Sequence, residues 1–282
     1  GYNKSVLDEG IDSLPLFDYI QVYQLPADAT TPNGVVVGPE GNIWIADTSS
    51  SFFFAFNPDT EEFTKYITSK PHQSTYGNAS GLIKSPVSRP YWADVDNSGR
   101  IVFNEQTANR LGFFDPVEQS LVEYLIPSKN PNWSDCEGLN DCGLAQVFGF
   151  TIDDEKVWFT QWVENNIGVL DTSIPLPFSI ELESQELSIA KGETKEFDVI
   201  VYPQTANDVA GIEFISSDTT QFSDIKITPD ITTFQLDSDA PRVIKVTINA
   251  RDSALATSHK VLLGAQTDEV TISKYLTVNI TQ

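Results

Sequence analysis

Up to Thr172, this 282-residue chain repeats itself, which restricts the fold to architectures made by stacking one small unit. Gly41-Asn42-Ile43-Trp44-Ile45-Ala46-Asp47 is followed by Phe54-Ala55-Phe56-Asn57-Pro58 and then Phe63-Thr64-Lys65-Tyr66. An offset of 58 leads to Gly99-Arg100-Ile101-Val102-Phe103-Asn104-Glu105, then Gly112-Phe113-Phe114-Asp115-Pro116 and Leu121-Val122-Glu123-Tyr124. A further 56 leads to Glu155-Lys156-Val157-Trp158-Phe159-Thr160-Gln161, with Asn165 under Asn109, Gly168 under Gly112 and Asp171 under Asp115. Short alternating stretches between Gly, Asn, Asp and Pro turns predict four-stranded antiparallel blades, without helical periodicity. The period exceeds the usual ~40–50 residues of a blade, and the excess lies in two polar insertions, about 70–86 and 128–143.

The predicted fold class is all-β: a partial or oligomer-completed β-propeller of about three blades (1–173), followed by an Ig-like β-sandwich (174–282). The third unit supplies three strands over 146–171 and no fourth, while 17–26 matches the outer strand of a blade and is expected to complete one. Three blades fall short of the ~4–8 that close a ring. Closure therefore calls for additional propeller blades, the preferred expectation, or for a homodimer contributing three blades from each chain. Pro175 and Pro177 mark the break. Beyond it, strands are expected at 178–182, 186–189, 195–202, 211–215, 232–236, 242–250, 260–266 and 271–280, a spacing that suits a sandwich.

Seventeen basic against forty acidic side chains give a net charge of −23, which excludes nucleic acid as a natural partner and disfavours anionic lipid. No apolar run is long enough to predict a transmembrane segment, residues 1–30 do not read as a signal peptide, and the start without Met reads as a processed or artificial end. Cys136 and Cys142 enclose a short polar loop whose spacing predicts a disulfide. A pair of free thiols is the alternative; with no nearby His the two sulfurs make at most half a zinc shell. Sequons at Asn3, Asn78, Asn132 and Asn279 are glycosylation candidates, and with the cysteines they point to a secreted or cell-surface protein.

Pro32-x-Gly34-x-x-x-Gly38-x-x-Gly41-Asn42-Ile43-Trp44, Asn109-Arg110-Leu111-Gly112-Phe113-Phe114-Asp115-Pro116 and Glu123-Tyr124-x-Ile126-Pro127 resemble the blade repeat of the streptogramin lyase (virginiamycin B lyase-like) β-propellers over about 16–172. Ala190-Lys191-Gly192-Glu193-Thr194 before Phe197-Asp198-Val199 resembles the start of Ig-like modules appended to secreted carbohydrate-active enzymes and prokaryotic surface proteins. The first resemblance implies a metal-dependent lyase whose strand carries a Glu and, two residues later, a His. Here the aligned positions are Asp47, Glu105 and Gln161, and those two residues on are Ser49, Thr107 and Val163, none of them a base. His72 and His259 are the chain's two histidines, so a complete catalytic set is not recognisable without groups from missing blades or a second chain.

Other candidates are fewer. Asp94, Asp96 and Glu105 approximate the spacing of a calcium loop, and Ca or Mg are the cofactors that such carboxylates suit, although the flanking helices of that motif are not expected. Trp44 and Trp158 repeat and are expected in the core between blades, as is continuous Phe52-Phe53-Phe54, which can also serve an interface. Trp133 and Trp162 do not repeat and are candidates for contact with a sugar or another partner. The expected function is an extracellular binding or scaffold protein with a protein or glycan partner at the cell surface; a lyase or hydrolase is the alternative.

Overall fold

The computed structural model describes residues 20–78, 86–139, 142–220 and 223–282. Its first sheet contains β1 (Pro32–Val37), β2 (Ile43–Asp47), β3 (Phe52–Asn57) and β4 (Glu62–Ile67), paired antiparallel in chain order. The second repeats this with β5 (Pro90–Val95), β6 (Ile101–Glu105), β7 (Arg110–Asp115) and β8 (Ser120–Leu125). The third holds three strands, β9 (Val147–Asp153), β10 (Lys156–Gln161) and β11 (Asn166–Asp171), and β11 is an open edge. The chain is thus all-β with blade-like meanders, and the insertions add one helical turn, α1 (Gln73–Tyr76), and a 3-10 turn at Pro131–Trp133.

Alternation along each strand assigns residues to layers. Trp44, Phe53 and Tyr66 on the rear of the first sheet meet Ile101, Phe103, Phe114 and Leu121 on the front of the second. Val102, Leu111 and Phe113 on the rear of the second meet Val147, Val157 and Phe159 of the third. The recurring glycine is explained by the ring opposite it: Gly112 pairs with Phe103 and Gly168 with Phe159, and a Cβ at either would lie within 3 Å of that ring. The insertions grip one another as well. Gly77 bridges to Asp135 with its φ at +86°, Gly143 donates to the Ser74 carbonyl at 3.0 Å, and the Cys136–Cys142 disulfide closes the second insertion.

After Pro177 the chain forms β12 (Phe178–Leu182), β13 (Glu186–Ala190), β14 (Thr194–Pro203), β15 (Val209–Asp218), β16 (Ile225–Pro229), β17 (Thr233–Leu236), β18 (Arg242–Ala250), β19 (Ser258–Gln266) and β20 (Val270–Thr281). One sheet has the order β12-β14-β18-β16. The other, β17-β15-β19-β20, continues through β8 into the second blade, and β13 pairs parallel to β20. Phe197, Val199, Val201, Ile244, Val246 and Ile248 pack with Val261, Leu263, Leu276 and Val278 in a shared core. Strand β16 falls outside the expected set, because Pro229 ends its short Ile225-Ile227 alternation; it fits as an edge strand, where a missing N–H costs least.

The joint between the two regions centres on Tyr275. Val270–Lys274 of β20 pairs antiparallel with Ser120–Tyr124 of β8, which places the Tyr275 ring 5.1 Å from Tyr66 and 5.5 Å from Phe114. Its hydroxyl donates to the Ile67 carbonyl at 2.7 Å, and burial beside Glu123 and Tyr66 raises its pKa well above the ordinary tyrosine value.

Two expectations are corrected. Described residues 20–25 form no strand and complete no sheet; instead Tyr23 packs 4.7 Å from Phe56, and Asp28 pairs with Lys65 at 2.7 Å, on the front of the first blade. Residues 17–19 lie outside the described residues. Trp44 is buried as expected, but Trp158 is 40% exposed because no described blade covers the rear of the third sheet.

Tyr275→Ala should lower the unfolding free energy by about 3–5 kcal/mol, and Tyr275→Phe by about 1 kcal/mol, in urea titrations at neutral pH.

Candidate functional site

On the front of the second blade, three adjacent strands place Glu105, Arg110 and Glu123 side by side, facing the first blade. All three are buried. Arg110 Nη1 lies 3.6 Å from a Glu123 oxygen and donates to the Ser69 hydroxyl; the same Glu123 oxygen accepts from the Ser69 amide at 3.0 Å. Neither Glu105 oxygen has a hydrogen-bond partner of good geometry. Burial first, and then the neighbouring Glu123 charge, push the Glu105 pKa well above the usual carboxylate range, with Arg110 pulling the other way. One guanidinium between two carboxylates therefore leaves Glu123 as its ion-pair partner and Glu105 as the carboxyl that keeps a proton.

Arg110 also lines a cleft of about 350 Å³ with His72, Ser74, Lys129, Glu213 and Asp268, where the first insertion meets β15 and the turn between β19 and β20. His72 caps α1: its Nδ1 accepts the Ser74 amide at 3.2 Å, so a neutral ring carries its proton on Nε2. The lone pair that a base would use is thus the one already engaged by the cap. His259 sits in β19, and burial lowers its pKa.

The other predicted residues are placed apart. Asp47 accepts the Thr30 and Thr31 amides at 3.2 and 2.6 Å and the Ser50 hydroxyl at 2.6 Å, tying residues 30–31 to the end of β2. Gln161 is buried and accepts weakly from Asn166 at 3.4 Å. Asp47, Glu105 and Gln161 thus lie in successive layers: before the first blade, between the first and second, and between the second and third. Asp96 pairs with Arg100 at 2.6 Å and caps its turn, Asp94 accepts the Val95 amide at 2.8 Å, and Glu105 lies at the far end of β6. The calcium loop is therefore not assembled, because strand β6 separates its ends; among the described residues no group of three His, Cys, Asp or Glu is placed to hold a metal.

Trp133 and Trp162, from the second insertion and the third sheet, are brought together with ring centroids 6.0 Å apart. Phe148 lies 5.6 Å from Trp162, and Tyr91 lies 5.2 Å from Phe148. Trp133 and Trp162 are 50% and 59% exposed, forming a surface aromatic row on the stapled second insertion and the inner end of the third sheet. Sequence reasoning does not single out Phe148 and Tyr91; only their position at the start of inner strands, beside Trp92, could indicate them. Of the sequons, Asn78 and Asn132 are exposed, Asn279 is held within β20 by Ser258, and Asn3 lies outside the described residues.

The raised Glu105 pKa sets a sign for pH dependence. The folded state holds a proton that the unfolded state has released above about pH 4.5, so stability is greatest below that pH and falls as pH rises towards the folded-state pKa. Glu105→Gln should match the parent near pH 4 and exceed it at neutral pH, as read from denaturant midpoints across pH.

No family model matches the chain, and no curated protein does. Among solved structures, it is similar to a catalytically inactive virginiamycin B lyase from Staphylococcus aureus with quinupristin, at 15% identity and a TM-score of 0.39 over 89% of this chain and 69% of that one. It is also similar to domains 4 and 5 of the S-layer protein SbsC, at 15% identity and TM-score 0.29 over 67% and 93%. The sialic acid-binding region of a Streptococcus sanguinis adhesin matches at 10% identity and TM-score 0.24 over 90% and 78%. The blade-like character of the first three sheets stands on their own pairing and on the repeat.

Proposed function

We propose that this chain is an extracytoplasmic binding or scaffold protein whose blade array presents the Trp133–Trp162 row to a glycan at the cell surface. The observation that carries the reading is the assembly of four aromatic rings from separate segments into one row, with Trp133, Trp162 and Phe148 exposed, Tyr91 half-buried, and Trp133 beside a disulfide-closed loop. Flat apolar faces with a polar tip suit the C–H faces of sugars, and the charge of −23 favours uncharged saccharides over anionic ones. The disulfide, and Asn78 and Asn132 as exposed acceptors, support a location outside the cytoplasm. In this reading 1–173 is the propeller-like part and 174–282 an Ig-like sandwich serving as a spacer.

A metal-assisted lyase or hydrolase is the second reading, favoured by one observation: His72 and Arg110 share the cleft beside Glu105. Such a site needs Glu105 ionised and His72 released from its cap.

Screening neutral and sialylated glycans should yield neutral ligands. Trp133→Ala and Trp162→Ala should each weaken binding at least ~10-fold, the size of losing an aromatic anchor at a binding surface, and leave the circular dichroism unchanged. Undiminished binding by both variants would sink the proposal.

A further inference from the structure

The third sheet ends in the same kind of surface that the first two bury. Trp44, Val102 and Trp158 are one repeat position: Trp44 is covered by the second blade and Val102 by the third sheet, whereas Trp158 faces outward. Beside it, Val169 pairs with Trp158 across the β10–β11 ladder and Ile167 lies two residues away on the same face; they are 48% and 72% exposed. The sheet also lacks a fourth strand, leaving β11 as an unpaired edge. An apolar face and an open edge on one sheet are the two features that proteins ordinarily cover.

The first blade offers the complement. Val35 and Val37 on its front are 63% and 62% exposed. In front of its outer strands lies the segment 20–25, held by Tyr23 against Phe56, joined to no sheet, with Ile20 and Val22 pointing into solvent. That is where the outer strand of a preceding blade would stand, and among the described residues no other strand of such a blade is present. One side of the array thus displays three strands without a fourth, and the other an extra segment, not paired into any sheet, where a fourth strand would stand.

We infer that a second copy of this chain covers the third sheet: β9–β11 of one copy and the 20–25 segment of the other make one four-stranded blade, seated on the first blade of that other copy. Head-to-tail contact made twice about a two-fold axis gives a six-bladed ring, within the ~4–8 blades that close. Pairing of the two ends within residues 20–282 would need a ring of three, below the ~4 blades that close. The rear face of the third sheet continues the interface already made twice between blades, so the occupant it fits is another blade of this repeat. The inference is independent of the glycan reading, which uses other residues.

Light scattering of the full chain over a dilution series tests this. The expected mass is twice 31.2 kDa. Trp158→Glu and Val169→Lys should each convert the dimer to monomer with unchanged circular dichroism, since both side chains are exposed in the single chain. Val243→Lys, on an exposed apolar residue of β18 in the other region of the chain, should leave the dimer intact. A monomer at every concentration, a dimer that survives both variants, or open-ended growth to larger species would overturn the inference.

Discussion

The ladder between β8 and β20 is the interaction on which the rest of this molecule depends. It converts the outer edge of the second blade into an interior strand, extends one sheet from the blade into the following region, and positions Tyr275 over the aromatic layer between the first two blades. Tyr275 then reaches the first blade through the Ile67 carbonyl. Lys260 of the neighbouring β19 adds a bond to Gln119 at 2.9 Å. An edge that would otherwise invite other chains is occupied from within.

This arrangement also shapes the buried charge cluster. Glu105, Arg110 and Glu123 face the first blade because strand alternation puts them on the same side as Phe103 and Leu121, so the layer that supplies hydrophobic burial also dehydrates two carboxylates. Burial of a single guanidinium beside both is costly unless one carboxyl stays neutral. The structure answers with Glu105, whose oxygens are unpartnered, while Glu123 takes Arg110 and the Ser69 amide.

The meanders up to Thr172 are legible in the sequence because the repeat registers three stretches of each of the first two units and carries on into the third, down to the glycines opposite Phe103 and Phe159. Strands with clean alternation, such as β14, β18 and β20, are legible for the same reason. What is not legible depends on long-range contact. Trp158 has the same local sequence context as Trp44, and only the lack of a covering blade distinguishes them. Nothing local in Val270–Lys274 indicates that its free edge pairs with Ser120–Tyr124, on the far side of the whole third sheet in the chain order. In the candidate site, Glu105 and Arg110 are visible as repeat residues, but their shared burial with Glu123 needs the face assignment of three strands. Trp133 and Trp162 stand out because they break the repeat; their contact requires the second insertion to fold back over the third sheet.

Strand β20 has a mechanical consequence. It is hydrogen-bonded to β19 along most of its length, to β8 over its first half and to β13, in parallel, over its second. Tension transmitted through Thr281 is therefore resisted by many bonds loaded together rather than one after another, and it passes directly into the second blade.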